Sequence, residues 1–349
     1  MANQETQQLD NIIASRRAML LGGGAALAAL ALPKAASAAA TVTTFTDNDI
    51  LNFALNLEYL EANYYYLAAF GTTIDQPNPL YAPAGAAVLG ITGTVGVQGT
   101  VVVKPSAKVP FVNTAIAGYA VETAVEEGKH VAFLRGALGT AAVAQPQIDL
   151  LNSFNTLAVA AKLGFTTFDP FASDAFFLIG AYVFEDVGVT AYHGAAPLLS
   201  TTAAGKGLLA AAAGILAVEG YHAGLVRTTI NGLDPTDAQG FLTITQKISA
   251  LRSQLSQAAF VAGSTPPFPA APGNPLGDDI GLTTNTTYSL AGAAPVSATT
   301  IVDANQQSVI AFSRTTTQVL NIVTGGMATT AGTPAKGVFF PNGMNGTFV

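Results

Sequence analysis

Apolar residues recur at helical spacing through much of this chain, and the runs are broken by clusters of Pro, Gly and Asp. Over residues 50–70, Leu51, Leu55, Ala62 and Tyr65 fall on one stripe, and Glu58 interrupts it. Asp47 or Asn48 supplies an N-cap for this first helix, and Gly71 supplies its stop. The helical pattern returns over 111–138, closed by Gly139, and from Ser173 or Asp174 to about Gly194. A fourth long run covers 203–230, with Asn231-Gly232 and Asp234-Pro235 after it. Four long helices are therefore predicted within 45–232, and the chain reads as all-α.

The interruptions are also patterned. Pro77, Pro79 and Pro83 break any helix after the first, and the Gly/Val/Thr-rich run over 88–103 favours strand, so a β-hairpin is expected at about 85–104. A shorter helix is predicted inside the long connection over 146–164. Beyond the fourth run, residues 233–259 hold an additional, more polar helix, with Ile244, Ile248, Leu251 and Leu255 on one side. Residues 260–349 open on Pro266-Pro267-Phe268-Pro269 and stay rich in Gly and Thr. They read as a long, irregular extension wrapping the bundle, with one helix over 313–323 stopped by Gly325-Gly326.

Chemistry enters through a repeat. Glu127-Gly-Lys-His130, with Arg135 eight residues after the Glu, recurs as Glu219-Gly-Tyr-His222 with Arg227. Two of the chain's three histidines sit in these copies. Glu and His three residues apart lie on one face of a helix, one turn apart, and a carboxylate and an imidazole aimed at one point suit a first-row metal. The first and third helices repeat a different pair: Tyr65 follows Glu58, and Tyr192 follows Glu185, by seven residues, which places each Tyr above its own Glu. Outside the N-terminal Glu5, every glutamate lies in the four long helices. Ionised carboxylates on apolar faces are costly to bury unless paired or bound to a cation.

One Glu from each of two helices and Glu-x-x-His from the other two is the ligand set of ferritin-like di-iron and di-manganese carboxylate proteins. The chain resembles that superfamily and, within it, the ferritin-like desiccation-related family. The resemblance rests on Leu51-Asn-Phe-Ala-Leu-Asn-Leu-Glu58-Tyr-Leu-Glu61, on Glu126-Glu127-Gly-Lys-His130 through Arg135, and on Phe184-Glu185-Asp186 through Tyr192. Ala311-Phe-Ser-Arg314 and Phe339-Phe-Pro-Asn-Gly343 are similar to that family's tail. The resemblance implies a four-helix bundle and a centre of two Fe or Mn ions held by Glu58, Glu127, His130, Glu185, Glu219 and His222. It also implies a link to stress or dehydration. A carboxylate-bridged Fe or Mn pair can react with peroxide or dioxygen, which are the expected small oxidant partners; the alternative is a structural or protective envelope protein in which the metal site is only a staple or is empty. Glu61 is either a bridging or extra ligand or a partner for Arg135. Arg135 and Arg227 are expected to hold the carboxylates, Tyr65 and Tyr192 to be hydrogen-bonded core tyrosines, Glu122 and Glu126 to be solvated, and His193 to stand off the site. The insertion and the tail would obstruct packing into a ferritin cage.

The N-terminus and the charge bound the setting. Ser15-Arg16-Arg17-Ala18-Met19-Leu20, an apolar run to Leu32 and Ala36-Ser37-Ala38 form a twin-arginine signal over 1–38, too short to span a bilayer as a stable helix. The expectation is export to the periplasm or the outside, with no stable membrane span after cleavage. Cleavage takes Arg16, Arg17 and Lys34 but also Glu5 and Asp10, which moves the formal charge from −7 to −8. That acidic balance argues against nucleic acid. Half of the residues are hydrophobic and 10% are charged, enough apolar material for a sizeable core. With no cysteine, there is no disulfide framework and no thiolate chemistry.

Overall fold

The computed structural model describes residues 45–78, 88–258, 277–284, 286–288, 294, 296–305, 309–326 and 335–348. The expected signal, residues 85–87 of the expected hairpin and the proline stretch over 266–275 lie outside them. Each long helix starts where a side chain satisfies its free amides. In α1 (Asp47–Phe70) the cap is Thr46, one residue before those expected. Its hydroxyl accepts from Asp49 N at 3.2 Å, while Asp49 Oδ2 accepts from Thr46 N at 2.8 Å. Gly71, at φ 77°, ends the helix in the left-handed region. Asn113 caps α2 (Thr114–Leu138). The short α3 (Asn152–Ala160) begins on Asp149, whose Oδ1 accepts from Leu151 N and Asn152 N at 2.8 and 2.7 Å. Ser173 caps α4 (Asp174–Ala195) and Thr202 caps α5 (Ala203–Leu233).

The helices pair as α1 with α2 and α4 with α5, and α1 also meets α4. The N-terminal halves of α1 and α5 and the C-terminal halves of α2 and α4 surround one apolar cavity at an end of the bundle. α2 and α4 therefore run the same way, and the connection between them must travel the length of the bundle. This is the arrangement with one long crossover known for four-helix bundles.

The insertion after α1 uses that crossover as its partner. Strand β1 (Val101–Val102) pairs in parallel with β2 (Ile148–Asp149), and Val95 bridges in parallel to Val143. The expected hairpin at 85–104 is corrected: where it is described, this segment forms a small β insert that lies along the crossover instead of folding back on itself. Two glycines permit the approach, since a Cβ at Gly93 would stand 2.2 Å from Ala144 N and one at Gly99 2.1 Å from Gln147 N. The C-terminal end fastens this layer to α1. Asn345 donates from Nδ2 to the carbonyls of Val97 and Ala144 at 2.9 and 2.8 Å, and its backbone exchanges bonds of 3.0 and 2.8 Å with the Asn56 amide.

Beyond the bundle come α6 (Phe241–Ala258), the antiparallel pair β3 (Thr286–Tyr288) and β4 (Val296–Ala298), and α7 (Thr316–Thr324). α6 packs on α7 and against α4. The insertion, the crossover and the tail together cover α1 and α4 on nearly all sides, whereas α2 and α5 keep one face in solvent. α4 and α5 are long and apolar enough to cross a membrane by length and composition alone. α4 is nevertheless a core helix, and α5 turns Glu219, His222 and Arg227 inward.

Three buried arginines clamp the tail to the bundle. Arg227 on α5 donates to Asp186 Oδ2 at 2.9 Å and to the Ile280 carbonyl at 2.7 Å. Arg252 on α6 joins Asp186 to Asp279, at 2.8 and 2.7 Å, and stacks on the Tyr182 ring with its guanidinium carbon 4.7 Å from the centroid. Arg314 closes on Asp279 at 2.8 Å. Removing one partner of such a pair strands a buried charge at a cost of about 3–5 kcal/mol, while an exposed pair contributes about 1 kcal/mol or less. Arg252→Met should therefore lower the unfolding free energy in urea by about 3–5 kcal/mol, and Lys104→Ala, which breaks the partly exposed pair with Asp169, by about 1 kcal/mol or less. Equal losses for the two variants would remove the clamp from the stability of this fold.

Candidate metal centre

The four long helices bring their carboxylates to the bundle axis. Glu58 on α1, Glu127 on α2, Glu185 on α4 and Glu219 on α5 are fully buried, as is His222, and His130 is 9% exposed. Two overlapping groups form: Glu58, Glu127, His130 and Glu219, and then Glu127, Glu185, Glu219 and His222. Within each, one ligand atom per residue lies within 4.8 Å of the others. Glu127 and Glu219 belong to both. His130 Nδ1 stands 3.3 Å from Glu58 Oε2 and 3.5 Å from both Glu127 Oε2 and Glu219 Oε1. His222 Nδ1 stands 2.9 Å from Glu127 Oε1 and 3.5 Å from Glu185 Oε2. Glu127 thus turns one oxygen to each imidazole.

The donor set is compatible with metal binding. Glu58 Oε2, Glu185 Oε2, both carboxylate oxygens of Glu127 and of Glu219, and Nδ1 of His130 and His222 are buried and make no hydrogen bond. All belong to the two groups, and buried polar atoms are seldom left so. The outward atoms, in contrast, are occupied. Tyr65 donates its hydroxyl proton to Glu185 Oε1, and Tyr192 donates to Glu58 Oε1. These bonds cross between helices: each tyrosine serves the glutamate of the facing helix and not its own, which corrects the same-helix stacking expected from spacing. The two side chains project from one helix toward its neighbour, so seven-residue spacing aligns them without making them meet. Gly188 on α4 makes room for Glu219, because a Cβ there would stand 2.3 Å from Glu219 Oε2.

Electrostatics show how much charge the pocket holds. Burial pushes the Glu58 carboxyl up to about 7 against the pull of His130. Burial raises Glu185, and burial with the neighbouring carboxylates drives Glu219 and Glu61 well above the usual range. Burial also acts on Glu127, but the two imidazoles that stand beside its oxygens outweigh it and hold that carboxyl low. Burial would lower both imidazoles. Glu58 and Glu127 instead raise His130 to about 12, and Glu185 and Glu127 raise His222 further.

Several expected roles change. Glu126, expected in solvent, is half-buried and lies 2.8 Å from His222 Nε2, where a carboxylate can fix the ring and leave Nδ1 facing the centre. Its position beside Glu127 was the available signal. Arg135 holds no site carboxylate: it donates to the Tyr59 hydroxyl and, at 2.8 Å, to the Thr92 carbonyl, because the insertion covers its end of α2. Arg227 does hold a carboxylate, but that of Asp186 in the tail clamp. Asp186, Asp279 and Asp303 also lie close enough to hold a cation, yet the guanidinium groups of Arg227 and Arg252 already reach into that group. Glu61 is buried and bonded to neither group nor Arg135. Its Oε1 lies 3.4 Å from where a Gly188 Cβ would be, beside Glu219. Glu122 is exposed, and His193 Nδ1 lies 3.0 Å from the Phe312 carbonyl, away from the centre.

Comparison with known proteins agrees with this fold. The ferritin-like domain family matches residues 46–232, which hold the four long helices to within one residue. The chain is similar to the desiccation-related protein PCC13-62 of Craterostigma plantagineum, with 32% identity over 217 residues. That match covers 60% of this chain and 62% of the plant protein, so the chain spans less than two thirds of that relative's length. No solved structure matches the chain. With four paired helices, one long crossover and Glu/His groups facing the axis within the matched span, the chain belongs to the ferritin-like domain family.

Proposed function

We propose that this is an exported ferritin-like protein whose bundle holds two Fe or Mn ions that, in their reduced form, react with peroxide or dioxygen in protection against stress or desiccation. The observation that carries the reading is the set of buried, hydrogen-bond-free ligand atoms in two groups that share Glu127 and Glu219. Glu58 and His130 would hold one ion, Glu185 and His222 the other, and the shared pair both. Carboxylate oxygen and imidazole nitrogen suit either metal. When bound, such a pair supplies one electron from each ion, enough with two protons to reduce peroxide to water or dioxygen to peroxide. Around it, Tyr65 and Tyr192 fix the terminal carboxylates, and Glu126 orients His222. The name of the plant relative supports the link to desiccation.

Protein exported by its native host should carry close to two Fe or Mn ions per chain, one for each of the two groups. Its reduced form should develop a new absorption band with peroxide or dioxygen. Glu127→Gln keeps the shape but removes charge shared by both groups, so it should lose most of the metal and the oxidant response, with folding checked in parallel. Absence of metal above background by elemental analysis would sink the reading. A loaded protein inert to both oxidants, yet much less stable after chelation, would make the metal a staple of the bundle.

Proton linkage gives an independent check. In the metal-free protein Glu58 titrates near 7, against 4.5 for an ordinary glutamate, and His130 near 12, against 6.5. The native state thus holds more protons than the unfolded chain across both windows. The stability these groups add is full below about 4.5 and 6.5 and is lost as pH rises through about 7 and 12. Metal takes the place of those protons. The gain in melting temperature on loading Mn should therefore grow from pH 5 to pH 9, and a gain that shrinks over that range would contradict the proposed ligands.

The export route is tested separately. Changing Arg16 and Arg17 to Lys should leave uncleaved precursor inside the cell, whereas the parent is cut after Ala38. Normal export of the double variant, read by fractionation and N-terminal sequencing, would rule out the twin-arginine route.

A further inference from the structure

The two halves of the centre match in ligands but not in what lies above them. Phe177 stands eight residues before Glu185, as Ile50 stands eight before Glu58. On the Glu185 side, the Phe177 ring packs edge-on against Tyr65 with centroids 5.8 Å apart, and Phe111 backs it at 5.2 Å. On the Glu58 side the shorter Ile50 leaves a cavity. Ile50 from α1, Leu134 from α2, and Ala212 and Ile215 from α5 wall it. Tyr192 lies at its inner end, and Phe133, 44% exposed, stands at its outer rim. Tyr192 is the residue that donates to Glu58 Oε1. The cavity thus leads from the bundle end to the first atom behind the centre.

Its size and chemistry restrict what enters. It offers about 30 Å³ to the centre of a water-sized molecule, above the roughly 10–15 Å³ that one small molecule requires and far below the space for an organic substrate. Among its lining residues only Tyr192 carries a polar side-chain atom, and that hydroxyl already donates to Glu58. Peroxide would have to shed most of its hydrogen bonds with water to enter, a cost that an apolar diatomic molecule does not meet. We propose that this cavity is the entry and holding site for an uncharged apolar gas of dioxygen size, delivered to the Glu58–His130 half of the centre past Tyr192. The Glu185 half, sealed by Phe177, receives nothing by the corresponding path. This deepens the proposed function and rests on it for the reaction, though not for the binding.

Xenon tests the binding without any reaction. Crystals of the protein pressurised with xenon should show an anomalous peak between Ile50, Ala212 and Tyr192, and Ile50→Phe, which copies the sealed end, should abolish it. In solution, reduced and metal-loaded Ile50→Phe should keep the parent's metal content but be oxidised by dioxygen at least tenfold more slowly. Ala212→Phe, which plugs the cavity from α5, serves the same purpose if the first variant fails to fold. Absence of the xenon peak in the parent would overturn the proposal. So would a plugged variant that has lost xenon yet is oxidised at the parent's rate while the parent itself reacts. A loaded parent inert to dioxygen would instead overturn the proposed reaction, and the delivery role with it, whatever xenon shows.

Discussion

Four carboxylates closed off from water at one point are the constraint on which the rest of this structure depends. Each buried ion costs several kcal/mol even after relaxation, and like charges held together add to that cost. Two imidazoles can offset two of the charges at most. The remainder must be met by protons, as the raised Glu58 and Glu219 imply, or by cations. Much of the local sequence serves this arrangement. Gly188 removes the side chain that would displace Glu219, and two tyrosine hydroxyls occupy the carboxylate oxygens that face away from the centre. α1 and α4 are buried along most of their length, which raises the cost of any charge left unmatched.

The internal repeat gives the centre an approximate two-fold character, and the departures from it separate its halves. Glu126 precedes Glu127 on α2 and reaches His222, but the matching place before Glu219 on α5 is Val218. One imidazole is therefore held by a carboxylate from the partner motif, and α5 offers no counterpart for the other. Phe177 against Ile50 is a second departure, in packing instead of charge. Duplicated ligands with different surroundings make the two groups differ in access and in basicity, because neighbouring groups and solvent exclusion tune a site as much as its ligands do.

What could be read from the sequence was what local geometry decides. Glu127 with His130 and Glu219 with His222 are neighbours on any helix, whatever packs against it, so the spacing sufficed. The four helices and their stops followed from apolar periodicity and from Gly71 and Gly139. What escaped depends on residues far apart in the chain. Tyr65 meets Glu185 across 120 residues, and Arg227 meets Asp186 across 41. Spacing within one helix carries no information about either. The composition of the insertion signals strand but not its partner, since a parallel pairing only two residues long leaves no alternation to detect. Gly93 and Gly99, at the points of closest approach, were its only marks.

The tail clamp solves a burial problem of the same kind in the opposite way. Arg227, Arg252 and Arg314 bring three fixed positive charges to Asp186, Asp278 and Asp279, so guanidinium groups meet these carboxylates directly. The two solutions meet in consecutive residues: on α4, Glu185 faces the centre while Asp186, a third of a turn further round, faces the clamp. On α5, Glu219 and His222 face the centre, and Arg227 reaches the clamp little more than a turn beyond His222. The tail therefore grips α4 and α5, the two helices that supply one half of the centre, through charges that cannot be relocated without stranding a buried partner. A bundle that gathers acidic groups at its axis is under pressure to splay. Fastening α4 to α5 from outside with pre-paired charges opposes that splaying, which gives the extension a structural role at the centre without its touching a single ligand.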